Sequence, residues 1–449
     1  MFESSRNYTH TYTQQFVGGD TVDECVPVVR TLRRAKQGVL FAYAVEVHEN
    51  DATSASNGHE RAVQDLLHSI DVAADSEDSL VARAKGAYPT TRHAWVAIKL
   101  STLLPDPRAL TAFSEQILST RKPLPLTESW NDVPFPGIPR LNDLEILSNE
   151  TSAGDGKNVL TRGYNRDLQE LYSNLVRLCT RAKERGVKVT IDAEESWYTP
   201  AVDVITLALM RKFNACPPTL SPLSSVVRTS PPSQQPLIYL TLQAYLRRAP
   251  SYLAFSLSDA KIHNYACGVK LVRGAYLEGE IEAHSSKGSF KDAGRLAESV
   301  SISPDRVPPV WSTKRETDEV YDECVRVLIS EVREDVERCR GLVAFTPTEA
   351  SEKRWFDWFQ KEETKQWKRQ QQQAAVPRIA VLFGTHNWKS TRLVLDELVR
   401  NGLGEEVVHK TGEEDPVVKL DEDVVQRVTT GQLYGGFFPI SRSHHIWTH

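Results

Sequence analysis

The chain has 449 residues, enough for one large barrel or two to three average domains. Its formal net charge of −5 and pI near 6.2, with 25% charged and 40% hydrophobic residues, argue against nucleic acid as a partner and describe a globular protein with ample core. No run of about 18 apolar residues is present to span a membrane, and six cysteines scattered at 25, 179, 216, 267, 324 and 339 suit neither a disulfide framework nor a zinc site.

The amino terminus, MFESSRNYTHTYTQQ, has no apolar signal core and no Arg-rich, acid-poor segment, so the expectation is a cytosolic protein or a targeting segment upstream. Thr21 is placed to cap a helix that opens with Asp23 and Glu24 and runs to about Lys36. VLFAYAVE then reads as a first strand ending at Glu46, and RAVQDLLHSI as a helix. AWVAIKLS, Ala94 to Ser101, is a second strand with Lys99 inside an apolar run, where a lysine must pair or neutralise. A helix near Asp106 to Leu118 precedes an irregular insert over about 121–160. Leu168, Leu171, Leu175 and Leu178 mark the next helix, closed by Gly186.

VKVTIDAEE is the third strand, ending in Asp192, Glu194 and Glu195, and a helix follows over Val202 to Phe213. A Pro/Ser-rich segment without periodicity, about 217–235, is read as a surface insertion. LIYLTLQAY is the fourth strand, with Gln243 near its end, and VKLVRGAY the fifth. In GVKLVRGAYLE the apolar Val269, Leu271 and Val272 carry Lys270 and Arg273 toward the carboxyl end, where Gly274-Ala275 lets backbone approach a ligand. Glu278 to Asp305 reads as a polar loop, VPPVWSTK as a short sixth strand, and Val320 to Leu328 as part of a helix. A charged, Gln-rich insertion spans about 353–376. RIAVLFGTHN is the seventh strand, Ser390 is expected to cap the helix after it, and VVQRVTTGQLYGG supplies the eighth.

Strands alternating with helices, and no G-x-G-x-x-G fingerprint, favour a (β/α)₈ TIM-type barrel over a doubly wound sheet. Sites on such barrels gather at the carboxyl ends of the strands. There stand Glu46, Lys99, Asp192 with Glu194, Gln243, Lys270 with Arg273, Thr313 with Lys314, Thr385-His386-Asn387, and Gln432. His386 is the lone histidine of that ring, which disfavours a metal hydrolase. A Schiff base on Lys99 or Lys270 is chemically open, and the helix after Gly384-Thr385-His386-Asn387 suits an anion such as a phosphate.

FVGGDTVDEC, VAIKLS, GVKVTIDAEES, LTLQAYLRR, VKLVRGAYLEGE, WSTKRETDEVYDEC, LFGTHN and GQLYG, in that order across Phe16 to Gly435, together resemble the proline dehydrogenase family in its eukaryotic, fungal mitochondrial form. The resemblance implies a distorted (β/α)₈ barrel that holds FAD without a Rossmann domain. It implies oxidation of L-proline to Δ¹-pyrroline-5-carboxylate with hydride passing to flavin N5. Electrons then go to a quinone, with peripheral association to the inner mitochondrial membrane and residence in the mitochondrion. It further implies an N-terminal helical arm over 1–38, the barrel over 39–435 with insertions near 121–160, 217–235 and 353–376, and an irregular tail over 436–449.

By motif, Lys99 is the implied partner of the substrate carboxylate, Asp192 orients the far side of the site, and Lys270 sits by the flavin, where prokaryotic relatives carry arginine. Gln243 is the implied contact to the isoalloxazine. Arg273, Gly274, Ala275, Thr313, Lys314, Thr385, His386 and Asn387 are implied to line the cofactor, while Leu271, Ala275, Tyr276 and Leu433 wall the proline ring. Glu46 matches an acidic position that pairs with a gate arginine in relatives. The family closes its barrel with a last helix bearing a Tyr and an Arg-Arg pair that clamp the substrate carboxylate. Here the sequence runs into GGFFPISRSHHIWTH with Arg442 alone, so the final helix is expected to be missing. Loss of two charge-assisted groups would weaken substrate binding on the order of 10² to 10⁴. Two other readings stand beside the enzyme: a catalytically impaired flavin-binding barrel, and an unrelated lyase using Lys99 as a Schiff base.

Overall fold

Short runs of alternating parity build one parallel sheet, and the helices between them cover its outer face. The computed structural model describes residues 18–19, 21–35, 37–42, 58–83, 93–121, 133–148, 160–216, 236–286, 301–341, 376–407 and 417–434. Glu46, the Pro/Ser-rich segment 217–235, nearly all of the 353–376 insertion and the 436–449 tail lie outside the described residues.

Helix α1 (Val22–Arg34) starts as its sequence demands: the Thr21 hydroxyl accepts the Glu24 N–H at 3.3 Å, acidic residues fill the first turn and basic ones the last. A buried Arg33–Glu77 pair at 2.9 Å fastens α1 to α2 (Gly58–Arg83). Seven parallel strands follow the order β1 (Val39–Ala42), β2 (Ala94–Ile98), β3 (Lys188–Ile191), β4 (Ile238–Gln243), β5 (Cys267–Val272), β6 (Ile379–Gly384) and β9 (Val428–Gly431). The connecting helices are α3 (Arg108–Thr120), α4 (Arg162–Arg185), α5 (Thr199–Phe213), α6 (Ala249–Ile262), α7 (Leu277–Ser285), α8 (Lys314–Cys339), α9 (Trp388–Arg400) and the single turn α10 (Glu422–Val425). Between α9 and α10 an antiparallel pair, β7 (Gly404–Val407) and β8 (Val417–Leu420), forms a separate small sheet. The sheet is a curled part of a distorted (β/α)₈ barrel, its strands joined by helices in the parallel fashion that leaves one face outward and one inward.

Parity sorts the side chains. Val96, Ile98, Val189, Ile191, Leu240, Leu242, Val269, Leu271, Val381 and Phe383 join the helices in the main core. Trp95, Tyr239, Ala380 and Leu382 form a second cluster on the opposite, inner face. Pairing carries the inner positions across the sheet: Trp95 with Lys188, Thr190 with Tyr239 and Gly268, Thr241 with Lys270 and Leu382, then Gln243 with Val272. The lower inner positions are thus aromatic and the upper ones polar.

Three elements depart from the sequence reading. VPPVWSTK is no sheet strand; Pro308 and Pro309 have no N–H to offer a ladder, and the segment is strapped instead to the end of β4. There Val310 makes a lone antiparallel bridge to Leu246, and Trp311 donates its backbone N–H to Tyr245 O and its indole N–H to Ala244 O. Residues 277–285, read as loop, form α7, whose buried face is Glu280 and Ala283. Asn387, not Ser390, caps α9, accepting the Lys389 N–H at 2.9 Å.

Candidate active site

At the carboxyl ends of β2 to β5 the inward positions converge. The register puts Asp192, one residue past β3, level with Lys270 of β5, and their side chains meet across β4 at 2.6 Å, with the Thr190 hydroxyl donating to the same carboxylate oxygen at 3.0 Å. Both partners are mostly shielded from solvent, so the pair sits where attraction is only partly screened. Lys99 follows β2 beside Asp192, whose N–H donates to Ile98 O at 2.8 Å. The Lys99 ammonium is half-buried and has no hydrogen bond or ion pair among the described residues. Gln243, buried, directs its amide at Glu194 O (3.3 Å) and the Tyr245 hydroxyl (3.4 Å). These four groups, from four consecutive strands, share one end of the barrel.

The turn after β5 bends at Gly274, whose φ of +124° favours glycine and where a Cβ would strike the Tyr245 ring at 2.2 Å. Ala275 is exposed there and Tyr276 half-buried. Arg273 is committed to three elements at once: it donates to Asp318 at 2.7 Å, to the Thr385 hydroxyl at 3.0 Å and to the Ser390 hydroxyl at 2.8 Å. Its guanidinium also lies 4.3 Å from the Tyr321 ring centre. Burial alone would raise the Asp318 carboxyl, but hydrogen bonds from Lys314 and Arg273 hold it below the usual range. Thr313 spends its hydroxyl in a capping box with Glu316 at the start of α8. Thr385 accepts the Asn387 N–H at 3.0 Å, and exposed His386 accepts the Leu433 N–H on Nε2 at 3.1 Å, which places its proton on Nδ1.

Leu271 does not face the barrel interior. It is fully buried in the helix-facing core, because strand parity gives the inner face to Lys270 and Val272 on either side. Leu433 is 73% exposed on the rim.

Parity and burial also reveal groups not singled out from sequence. Lys188, on the inner face below Asp192, lies with its ammonium 4.8 Å over the Trp95 ring and 5.9 Å from Tyr239. Burial pushes it down to about 8. The two-residue period through Lys188, Thr190 and Asp192 was the signal that could have found it. His93 is pushed down to about 4 by burial, then by Arg33 and Lys188. Glu280 on α7 is wholly buried; burial lifts its carboxyl to about 7. Glu194, already read from the sequence as a strand-end residue, is lifted by burial likewise to about 7, aided by Glu195 and opposed by Ser101 and Lys99.

Chemically, this arrangement offers an ammonium for an anionic substrate group, a charge pair and an amide donor for a polar ring, and no cluster of metal-ligating side chains among the described residues. No described helix is long and apolar enough to cross a membrane.

A family profile described as proline dehydrogenase matches residues 27–292. Proline dehydrogenase 1, mitochondrial, of Arabidopsis thaliana is 25% identical over 321 residues, 71% of this chain and 53% of that protein. A hydroxyproline dehydrogenase of Xenopus laevis is 25% identical over 274 residues, 61% of this chain and 48% of that one. The chain spans about half the length of these two relatives. Proline utilization A from Bdellovibrio bacteriovorus superposes with a TM-score of 0.51 at 14% identity, covering 96% of this chain and 29% of that one, a likeness of fold.

Proposed function

The chain belongs to the proline dehydrogenase family, and from that premise we propose that it oxidises L-proline to Δ¹-pyrroline-5-carboxylate using FAD. The observation that carries the reading is the half-buried Lys99 ammonium, without a hydrogen bond or ion pair among the described residues, set beside the Asp192–Lys270 pair and Gln243. A lysine in that setting calls for an anion, and a proline carboxylate supplies one.

The cavity suits a flat ring. Level with Gln243 and Val272, the inward positions on β6 and β9 are Gly384 and Gly431, paired in register. A Cβ at Gly384 would come within 3.0 Å of Val272 Cγ1, and one at Gly431 within 3.2 Å of Leu382 Cδ1. That side of the ring is glycine backbone with the apolar Val272 and Leu382 side chains beside it, while the other bears donors. Bound FAD supplies the two-electron acceptor that an amine oxidation needs. Gln243 and Lys270 would hold its ring, and the Thr385-His386-Asn387 turn at the start of α9 would meet its phosphates. Arg273 supports that turn through Thr385 and Ser390.

The chain's own work is binding and orientation. Lys99 pairs with the substrate carboxylate and fixes which carbon of the ring faces the acceptor. Asp192 keeps Lys270 from swinging toward that carboxylate, so the two cations serve different anions. Tyr276 and the Gly274-Ala275 turn narrow the space above the ring. The electrons pass on to a quinone at the inner mitochondrial membrane, and the mitochondrial naming of the Arabidopsis relative supports that compartment.

The test is a purified chain, its visible spectrum, and proline added without oxygen. A flavin spectrum that bleaches with proline, with a cyclic imine trapped by an aromatic amino-aldehyde, is expected. A yellow protein unmoved by proline supports the non-catalytic flavin-binding reading. A colourless chain trapped by borohydride on Lys99 supports the lyase.

A further inference from the structure

Two buried carboxyls near the site share a design. Glu194, in the turn after β3, accepts both the backbone N–H and the hydroxyl of Ser101, just past β2. Glu280 of α7 accepts both the backbone N–H and the hydroxyl of Ser196, each at 2.6 Å. The four residues link two strand-end loops and a helix in series: the β2 loop to the β3 loop, and the β3 loop to the helix that follows β5. The Gln243 amide on Glu194 O adds β4.

We propose that the Ser101–Glu194 and Ser196–Glu280 clasps hold these loops so that Lys99, Asp192 and the Gly274-Ala275 turn face one cavity, making Glu194 and Glu280 positioning residues for substrate binding. Sequence spacing ties each clasp to a working group: Ser101 is two residues past Lys99, Glu194 two past Asp192, and Glu280 lies one turn of helix beyond the Gly274 bend. Neither carboxyl has a cationic hydrogen-bond partner among the described residues, although burying a carboxyl without one is unfavourable. An apolar contact would fasten α7 at less cost. A carboxyl gripping two donors of one serine instead fixes direction as well as distance.

The surroundings make the clasps sensitive to protons. Ser101, Lys99 and Glu195 face Glu194; Ser196, Glu195 and Tyr245 face Glu280. Burial lifts both carboxyls to about 7 from an ordinary 4.5, so the fold takes up protons that the unfolded chain does not hold. Their stabilising contribution is therefore full below about 4.5 and is lost as pH rises through about 7.

The inference rests on the proline reading, and its test separates the two. Glu194→Ala and Glu280→Ala, with flavin bound, are expected to raise KM for proline about tenfold, the scale of one lost hydrogen bond to a charged group, with kcat changed less. Glu194→Gln and Glu280→Gln, which still accept the serine N–H, are expected to restore KM. Should either alanine variant fail to fold, Ser101→Ala and Ser196→Ala remove only the hydroxyl, and a smaller rise in KM is expected. Alanine variants with wild-type KM, or glutamine variants as impaired as alanine, overturn the proposal. Melting temperature from pH 5 to 8 is the readout independent of turnover: the wild-type chain is expected to lose stability with rising pH, and the glutamine variants to lose less. An inactive wild-type chain would overturn the proline reading alone; identical pH slopes in wild type and both glutamine variants would overturn the clasps.

Discussion

Lys270 and Lys188 both turn into the barrel, from β5 and β3, yet they stand in different company. Lys270 lies level with Asp192 and is neutralised by it at 2.6 Å. Lys188 is lower in the barrel, its ammonium 4.8 Å over the Trp95 ring, with no ion pair among the described residues. An aromatic face attracts a cation by about 0.5–2 kcal/mol, too little to offset full burial, and the ammonium is pushed down to about 8. Parity decides which way a strand residue points; what lies within reach decides whether its charge is paired. At the aromatic end burial makes the ammonium easier to lose, although at pH 7 Lys188 still holds its proton.

Breaking the upper pair should have the largest effect. Asp192→Ala leaves Lys270 poorly solvated and unpartnered, and a loss of about 2–4 kcal/mol in unfolding free energy is expected. Proline turnover should fall at least ~100-fold as Lys270 competes for the substrate carboxylate. Denaturant melts and the proline assay check both. A stability loss without loss of turnover would separate the pair from catalysis.

The lower lysine should respond in the opposite direction. Lys188→Met removes a buried ammonium from between two rings and is expected to stabilise the chain by about 2–3 kcal/mol at pH 7. The sign follows from the depressed pKa: between about 8 and the ordinary 10.5 the unfolded chain holds a proton that the fold does not. Wild-type stability therefore rises with pH across that window, and the advantage of Lys188→Met should shrink across it. Melts at pH 7, 9 and 10.5 measure the change; a constant advantage would mean that packing rather than charge is responsible.

The contrast also marks how far sequence could be read. Four residues were legible: Lys99, Asp192 and Gln243 stand at or just past the ends of strands of clear parity, Lys270 stands two residues before the end of β5, and the fold brings the four to one end. Leu271 was misplaced by following its neighbours in the KLVRGAY motif rather than its parity, which sends it to the helices. The commitments of Arg273 were invisible, since Asp318, Thr385 and Ser390 lie 45, 112 and 117 residues away. Helix α7 hid behind its polar sequence because the side it buries is a carboxyl and a methyl, Glu280 and Ala283, which leave no apolar stripe. The supposed sixth strand had its own warning in Pro308-Pro309.

The smallest effect isolates the term that distinguishes the two lysines, the ring beneath Lys188. Trp95→Phe shortens the aromatic face and opens space beside Tyr239, whose ring centre lies 4.6 Å from that of Trp95, so its own stability loss mixes packing with charge. A double-mutant cycle with Lys188→Met removes the packing part, provided methionine occupies the lysine's path. The coupling left over is expected to be about 0.5–1 kcal/mol at pH 7, the scale of a cation held by an indole rather than a phenyl ring. It should fade above pH about 8, where Lys188 sheds its proton. Coupling that persists at pH 10 would show that the lysine stem, and not its charge, is what the tryptophan holds.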